Sequence, residues 1–137
     1  SHMIGLILVT HGRLAEQFVD AMEHVVGKQT GISTVCIGPH DDMEQRRAEI
    51  ADKIDVVEQG AGVIILTDLF GGTPSNLANG ALKGPGIDVV YGANLPLLVK
   101  LAKSRDKPLA EAVQEAIGAG RKYVNSAGAI LETGKTA

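Results

Sequence analysis

The strongest constraint on the fold of this chain is an alternation. Short runs rich in β-branched residues trade places with longer segments of helical periodicity. Residues 4–10 (Ile-Gly-Leu-Ile-Leu-Val-Thr) read as a buried strand. Leu14, Phe18, Met22 and Val25 then recur at helical spacing, with Gly27 as the stop. Residues 32–37 form a second strand pattern. Asp41 with Glu44 makes a capping-box-like start for a helix. That helix carries Met43, Ile50, Ile54 and Val57 on one face, is interrupted there by Arg47, and ends at Gly60. Residues 62–66 read as a third buried strand. Thr73-Pro74 reads as an N-cap followed by proline at the first helical position. Residues 87–91 make a fourth strand, and 95–104 and 108–120 are helical. Residues 123–131 read as a last, weaker strand, diluted by Gly128 and two alanines.

Strands that alternate with helices imply βαβ units, a mainly parallel sheet and right-handed crossovers. The expected fold is α/β: a single-domain doubly wound sheet in the order 2-1-3-4, with helices on both faces. In that order strands 1 and 3 are neighbours, and ligand chemistry collects where their C-terminal ends meet. A length of 137 residues suits one domain. Ser1-His2-Met3 reads as a tag remnant, which leaves 4–137 as the domain.

Composition removes several function classes. The net charge is -3 and no basic stripe exists, so nucleic-acid binding is not expected. No apolar run reaches the roughly 18 residues of a membrane span, so the chain is not expected to be membrane-embedded. Residues 4–9 lack the flanks of a signal peptide. Cys36 is the only cysteine, which rules out an intramolecular disulfide and suits a reducing cytoplasm. With 3% aromatics and no tryptophan, the core must be aliphatic.

Strand 1 ends in Thr10-His11-Gly12. Strand 3 ends in Thr67-Asp68, and Leu69-Phe70-Gly71-Gly72-Thr73-Pro74-Ser75-Asn76 follows. In the expected order His11 and Asp68 face each other across one crevice. A carboxylate bonded to one imidazole nitrogen fixes the tautomer and leaves the other nitrogen with a free lone pair. The imidazole is then itself a nucleophile, oriented as in hydrolytic triads. The Gly71-Gly72 loop offers backbone N–H groups and a helix N-terminus, which hold a phosphoryl dianion without a metal or cofactor. The Thr73 and Ser75 hydroxyls are further candidates, and Thr10 and Thr67 flank the pair. Each feature alone has an ordinary structural reading: a turn histidine, a capping aspartate, a Gly-Gly turn. Their convergence on one sheet edge is the argument. Among the other histidines, His24 reads as a surface or boundary residue of the first helix. His40, after strand 2, is a candidate for the rim of the same edge. No His/Cys/Asp cluster has metal-ligand spacing.

Thr10-His11-Gly12, the run from Thr67 to Asn76 and Gly92-Ala93-Asn94-Leu95-Pro96 together resemble the IIA components of the mannose family of the bacterial sugar phosphotransferase system. The likeness covers nearly the whole chain after residue 3. It implies a phosphotransferase acting as a phosphohistidine carrier, with HPr as phosphoryl donor and a IIB protein or regulatory target as acceptor. Carried over, it implies that His11 takes the phosphoryl group on Nε2, that Asp68 holds Nδ1, and that Gly71, Gly72 and Thr73 cradle the group. It also implies a homodimer that exchanges a C-terminal edge strand, here residues 123–131. Many family transporters fuse a IIB domain through an Ala/Pro-rich linker, and no such linker follows here. A separate IIB chain and a regulatory relay without transport both remain open.

Rivals of the same architecture fit less well. A response-regulator receiver needs acidic residues after strand 1, where Thr10-His11 stands. A flavodoxin-like flavin binder wants a Ser/Thr-rich loop there and aromatic stacking partners. The phosphocarrier subunit of a dihydroxyacetone kinase also has a histidine after strand 1, but is expected to lack Phe-Gly-Gly-Thr-Pro. A pure interaction module is the remaining alternative.

Overall fold

A computed structural model describes residues 2–133; Ser1 and residues 134–137 of the sequence-based domain assignment lie outside the described residues. The elements run β1 (Gly5–His11), α1 (Leu14–Val26), β2 (Ile32–Ile37), α2 (Met43–Val57), β3 (Val63–Thr67), α3 (Gly72–Gly80), β4 (Ile87–Val90), α4 (Leu95–Ala102), α5 (Leu109–Lys122) and α6 (Ala127–Thr133). The four strands form one sheet in the order β2-β1-β3-β4, and every pairing is parallel. This is the order expected of the doubly wound sheet.

The sheet is covered on both faces, so β1 and β3 are apolar at every core position. Side chains alternate along a strand. Leu6, Leu8, Ile64 and Leu66 therefore pack with α1, α4 and α5, through Met22, Leu98, Leu101, Ala112 and Ala116. Ile7, Val9, Val63 and Ile65 pack the other way, against Ile50, Val57, Leu77 and Ala78 of α2 and α3. Each of the Leu, Ile, Val and Met side chains contributes roughly 1.5–3 kcal/mol by leaving water.

Several local expectations need correction. The buried stripe of α1 is Ala15 and Met22, flanked by Phe18, Val19 and Val26. Leu14 and Val25 instead face solvent, at 39% and 56% exposure. Both patterns have helical spacing, and the small Ala15 is what lets the helix settle on the sheet. The cap of α2 is Asp42, whose Oδ1 accepts from the Glu44 amide at 2.9 Å. Asp41 is used otherwise: its Oδ2 accepts from the Gly38 amide at 2.8 Å. Arg47 does not break the buried face, because it turns out to an ion pair with Glu44. α2 ends at Val57, before Gly60. α3 begins at Gly72 with Gly71 as its N-cap residue, so Thr73 and Pro74 sit inside the first turn. Proline is tolerated there because amides of the first turn have no intrahelical partner.

The largest correction concerns residues 123–131. In this chain they leave α5 irregularly and enter α6 instead of forming a strand. The Ser126 hydroxyl accepts from the Ala129 amide at 3.0 Å, and the Ser126 carbonyl accepts from the Ile130 amide at 3.1 Å. A serine ahead of Ala-Gly-Ala starts a helix readily, and alanine favours helix over strand.

At the sheet's opposite end, Arg105 is 2% exposed. Its Nε donates to the Ile4 carbonyl at 2.8 Å, Nη2 to the Gly31 carbonyl at 3.1 Å and Nη1 to Gln29 Oε1 at 3.3 Å. Burial pushes its pKa down from the ordinary value. The guanidinium ties the starts of β1 and β2 to the α4–α5 connection.

Candidate functional site

β1 and β3 are paired in register with Val9 opposite Thr67, so both strands deliver their next residues to the same edge. His11 closes β1, and Asp68 follows β3 directly. The Asp68 Oδ2 lies 3.0 Å from His11 Nδ1 and also accepts from the His11 amide at 3.2 Å. Asp68 Oδ1 accepts from the Leu69 amide at 3.1 Å. An ionised carboxylate only accepts, so Nδ1 carries the proton and Nε2 keeps its lone pair. The Asp68 side chain is 11% exposed and that of His11 49%. The carboxylate is thus shielded, while the ring is open to a large partner.

The loop after Asp68 is fixed from two sides. The buried Thr67 hydroxyl donates to the Leu69 carbonyl at 3.0 Å. The Thr67 carbonyl accepts from the Ala93 amide at 2.9 Å, which joins the end of β3 to the segment after β4. Gly71 and Gly72 have φ of +92° and +80°, the left-handed region where glycine is the natural residue. Gly72 also stands close to the ring: a Cβ there would lie 3.4 Å from both Cε1 and Nε2 of His11, in van der Waals contact. The backbone at the start of α3 therefore lies against the free edge of the imidazole. No side chain caps α3. The amides of Gly72 and Thr73 stay open to an anion, and Pro74 has none to offer.

The candidate hydroxyls divide. Thr73 is exposed at this mouth, whereas Ser75 is 1% exposed. Thr10 is fully buried, and its hydroxyl accepts from the Ala15 amide at 2.7 Å. Thr10 and Thr67 therefore hold backbone in place and do not face an incoming group. His40 is exposed in the turn after β2 and makes no hydrogen bond to His11. His24 is exposed on α1. Burial pushes the Cys36 thiol up from its ordinary value, so it stays protonated near neutral pH. Among the described residues no group of three His, Cys, Asp or Glu side chains is placed to hold a metal ion. No helix among them is long and apolar enough to cross a membrane.

Sequence reasoning missed three residues beside this edge. Phe70 stands 82% exposed next to Gly71. It meets Tyr91 edge-on, and the Tyr91 hydroxyl donates to Asn79 Oδ1. The available signal was an aromatic placed next to Gly-Gly in a chain with only two phenylalanines.

The family described as the PTS system fructose IIA component, EIIA-man, matches residues 5–118. The sorbose-specific EIIA component of Lacticaseibacillus casei is 36% identical over 101 residues, covering 71% of this chain and 70% of that protein. The mannose-specific EIIAB component of Escherichia coli strain K12 is 28% identical over 126 residues, covering 90% of this chain. This chain spans only 39% of the length of that relative. Among solved structures, the mannose/sorbose-specific IIA subunit from Enterococcus faecalis superposes with a TM-score of 0.81 at 28% identity, covering 90% of this chain and 94% of that one.

Proposed function

This chain belongs to the EIIA-man family of phosphotransferase-system components, and on that premise we propose that it carries a phosphoryl group on His11 Nε2 between two protein partners. One observation supports the reading above the others: Nδ1 of His11 stands 3.0 Å from a shielded carboxylate while the opposite edge of the ring faces Gly72 at the start of α3, a helix that no side chain caps. The Nε2 lone pair attacks the phosphorus of a donor phosphohistidine. A new P–N bond forms and the donor's P–N bond breaks, its electron pair returning to the donor imidazole. Asp68 stabilises the positive charge that develops on the His11 ring. The Gly72 and Thr73 amides and the Thr73 hydroxyl hold the phosphoryl oxygens at the positive end of α3. Loose phosphoryl transfer asks for little beyond such positioning and electrostatics. The reverse attack, by an acceptor nucleophile, discharges the carrier.

The half-exposed ring suits donors and acceptors that are themselves proteins. HPr is the donor in this reading, and a IIB protein or a regulatory target is the acceptor. The active species is a homodimer. Incubation with phosphoenolpyruvate, enzyme I and HPr, followed by intact mass measurement, tests it. The expected product carries one phosphoryl group, labile in acid and stable in base, and His11→Ala carries none. A hydroxylamine-sensitive acyl phosphate on Asp68, or full phosphorylation of His11→Ala, overturns the reading.

A further inference from the structure

Two consecutive glycines with positive φ place the start of α3 against His11, and glycine has little preference of its own for that conformation. Something else must hold it. Upstream, the Thr67 hydroxyl fixes the Leu69 carbonyl. Between that anchor and Gly71 stands Phe70, an apolar side chain that is 82% exposed and buries almost nothing of itself. Its ring centroid is 5.0 Å from that of Tyr91, with the planes at 81°. Tyr91 follows β4 directly, and its hydroxyl donates to Asn79 Oδ1 in the last turn of α3. One tyrosine thus joins the loop before α3 to the far end of the same helix, and both to the end of β4.

We propose that Tyr91, set by Asn79, is a positioning residue that braces Phe70 and so holds the Gly72 and Thr73 amides beside His11 Nε2. The proposal rests on the phosphocarrier reading. In transfer chemistry a misplacement of about 1 Å costs up to about 10²-fold, so a partly slackened loop shows a smaller loss. The hydroxyl and the ring have separable duties. The hydroxyl sets the ring through Asn79, and the ring's edge-to-face contact restrains Phe70.

Two measurements test it. The first is the nuclear Overhauser contact between His11 Hε1 and Gly72 Hα in the unphosphorylated full chain, which reads the placement directly. The second is single-turnover phosphorylation by phospho-HPr over a range of donor concentrations. Tyr91→Ala is expected to lose the contact and to lower the maximal rate about 10- to 30-fold, with the half-saturating donor concentration within twofold of the parent. Tyr91→Phe and Asn79→Ala are each expected to lower it about threefold. Because they break the same bond, the double variant also loses about threefold and not ninefold. Should Tyr91→Ala fail to fold by circular dichroism, those three variants decide. The proposal is overturned if Tyr91→Ala keeps both the contact and a maximal rate within twofold. It is equally overturned if the whole loss appears in half-saturation, which would make the pair a docking surface, or if the double variant is multiplicative. Should the parent itself accept no phosphoryl group on His11, the carrier reading fails. The Overhauser contact then still judges the brace by itself.

Discussion

Asp68 accepts three hydrogen bonds with two oxygens: Oδ2 from His11 Nδ1 and from the His11 amide, and Oδ1 from the Leu69 amide. That geometry makes Asp68→Asn a sharp test of the phosphocarrier reading. The amide has the same size, but one of its ends is a donor. With the NH₂ group at the Oδ2 position it meets two donors. With the group reversed it opposes the Leu69 amide and leaves the ring a neutral acceptor in place of a charged one. The first arrangement favours the tautomer in which Nε2 carries the proton and cannot attack. Loss of the comparable charge in the serine-protease triad costs about 10⁴ in turnover. Here no proton is shuttled, so the expected loss is about 10²–10³ in single-turnover transfer from phospho-HPr, or about 3–4 kcal/mol of barrier. Folding is expected to survive, since the site lies at the open edge of the sheet; circular dichroism checks this. A folded variant within threefold of the parent rate would reduce Asp68 to a brace for the loop.

Asn94 shows how an element is set. It is the N-cap of α4, accepting from the Leu97 amide at 3.0 Å, while its Nδ2 donates to the Gly120 carbonyl of α5 at 2.9 Å. Gly120 is tightly enclosed there, since a Cβ would come within 3.1 Å of Leu97. Asn94→Ala removes the cap, worth about 1 kcal/mol. It also leaves a half-buried carbonyl without its donor, at about 1–2 kcal/mol. Urea unfolding is therefore expected to show a loss of about 2–3 kcal/mol, with the slope unchanged and His11 chemistry intact in the folded variant. An unchanged midpoint would refute the clamp. The residues of this element were visible in Gly92-Ala93-Asn94-Leu95-Pro96, but their duties were not, because the second partner lies 26 positions away. The same limit explains the other differences between sequence and structure. The parallel strands and the meeting of His11 with Asp68 were legible, because buried parallel strands are continuous apolar runs and the switch point follows once the flavodoxin-like order is adopted. The orientation of Thr10 and Thr67 depends on strand pleat and on loop partners, which no local pattern encodes. Arg105 sits in Ser-Arg-Asp-Lys, which reads as solvated charge, and only its burial shows it to be a tie. Residues 123–131 balance Val124, Ile130 and Leu131 against serine and alanine, and within one chain the local helical preference prevails.

The whole molecule leaves one edge and one segment unsatisfied. β4 pairs with β3 on one side, and no strand among the described residues pairs with its other side. Along that edge runs a groove of about 890 Å³ whose lining includes Val89, Tyr91, Leu97, Ile117 and Val124. The stretch after α5 exposes Tyr123 by 53%, Val124 by 74% and Leu131 by 81%. An open edge and an exposed apolar segment are liabilities for a lone chain and complementary surfaces for two copies. A two-fold arrangement uses both at once, because each copy offers its segment and receives the other's. The full chain is therefore expected to be a homodimer at micromolar concentration, with the segment after Tyr123 packed against the partner. A chain ending at Lys122 keeps α5 whole and loses that segment, so it is expected to run as a folded monomer. Leu131→Asp, which leaves the length unchanged, should weaken the dimer at least tenfold by placing a charge where the expected contact would bury an apolar group. Light scattering on the three proteins, with circular dichroism as the control, decides. A full-length monomer, or a dimer that survives removal of the segment, would place the contact elsewhere. Dimerisation through this groove would also have a consequence at the site. Phe70 and Tyr91 line the same groove, so a partner seated there presses on the pair that stands beside Gly71 and His11. The monomeric truncation is accordingly expected to accept phosphate more slowly than the dimer even though His11, Asp68 and α3 are all retained, and single-turnover rates on the two proteins measure that coupling.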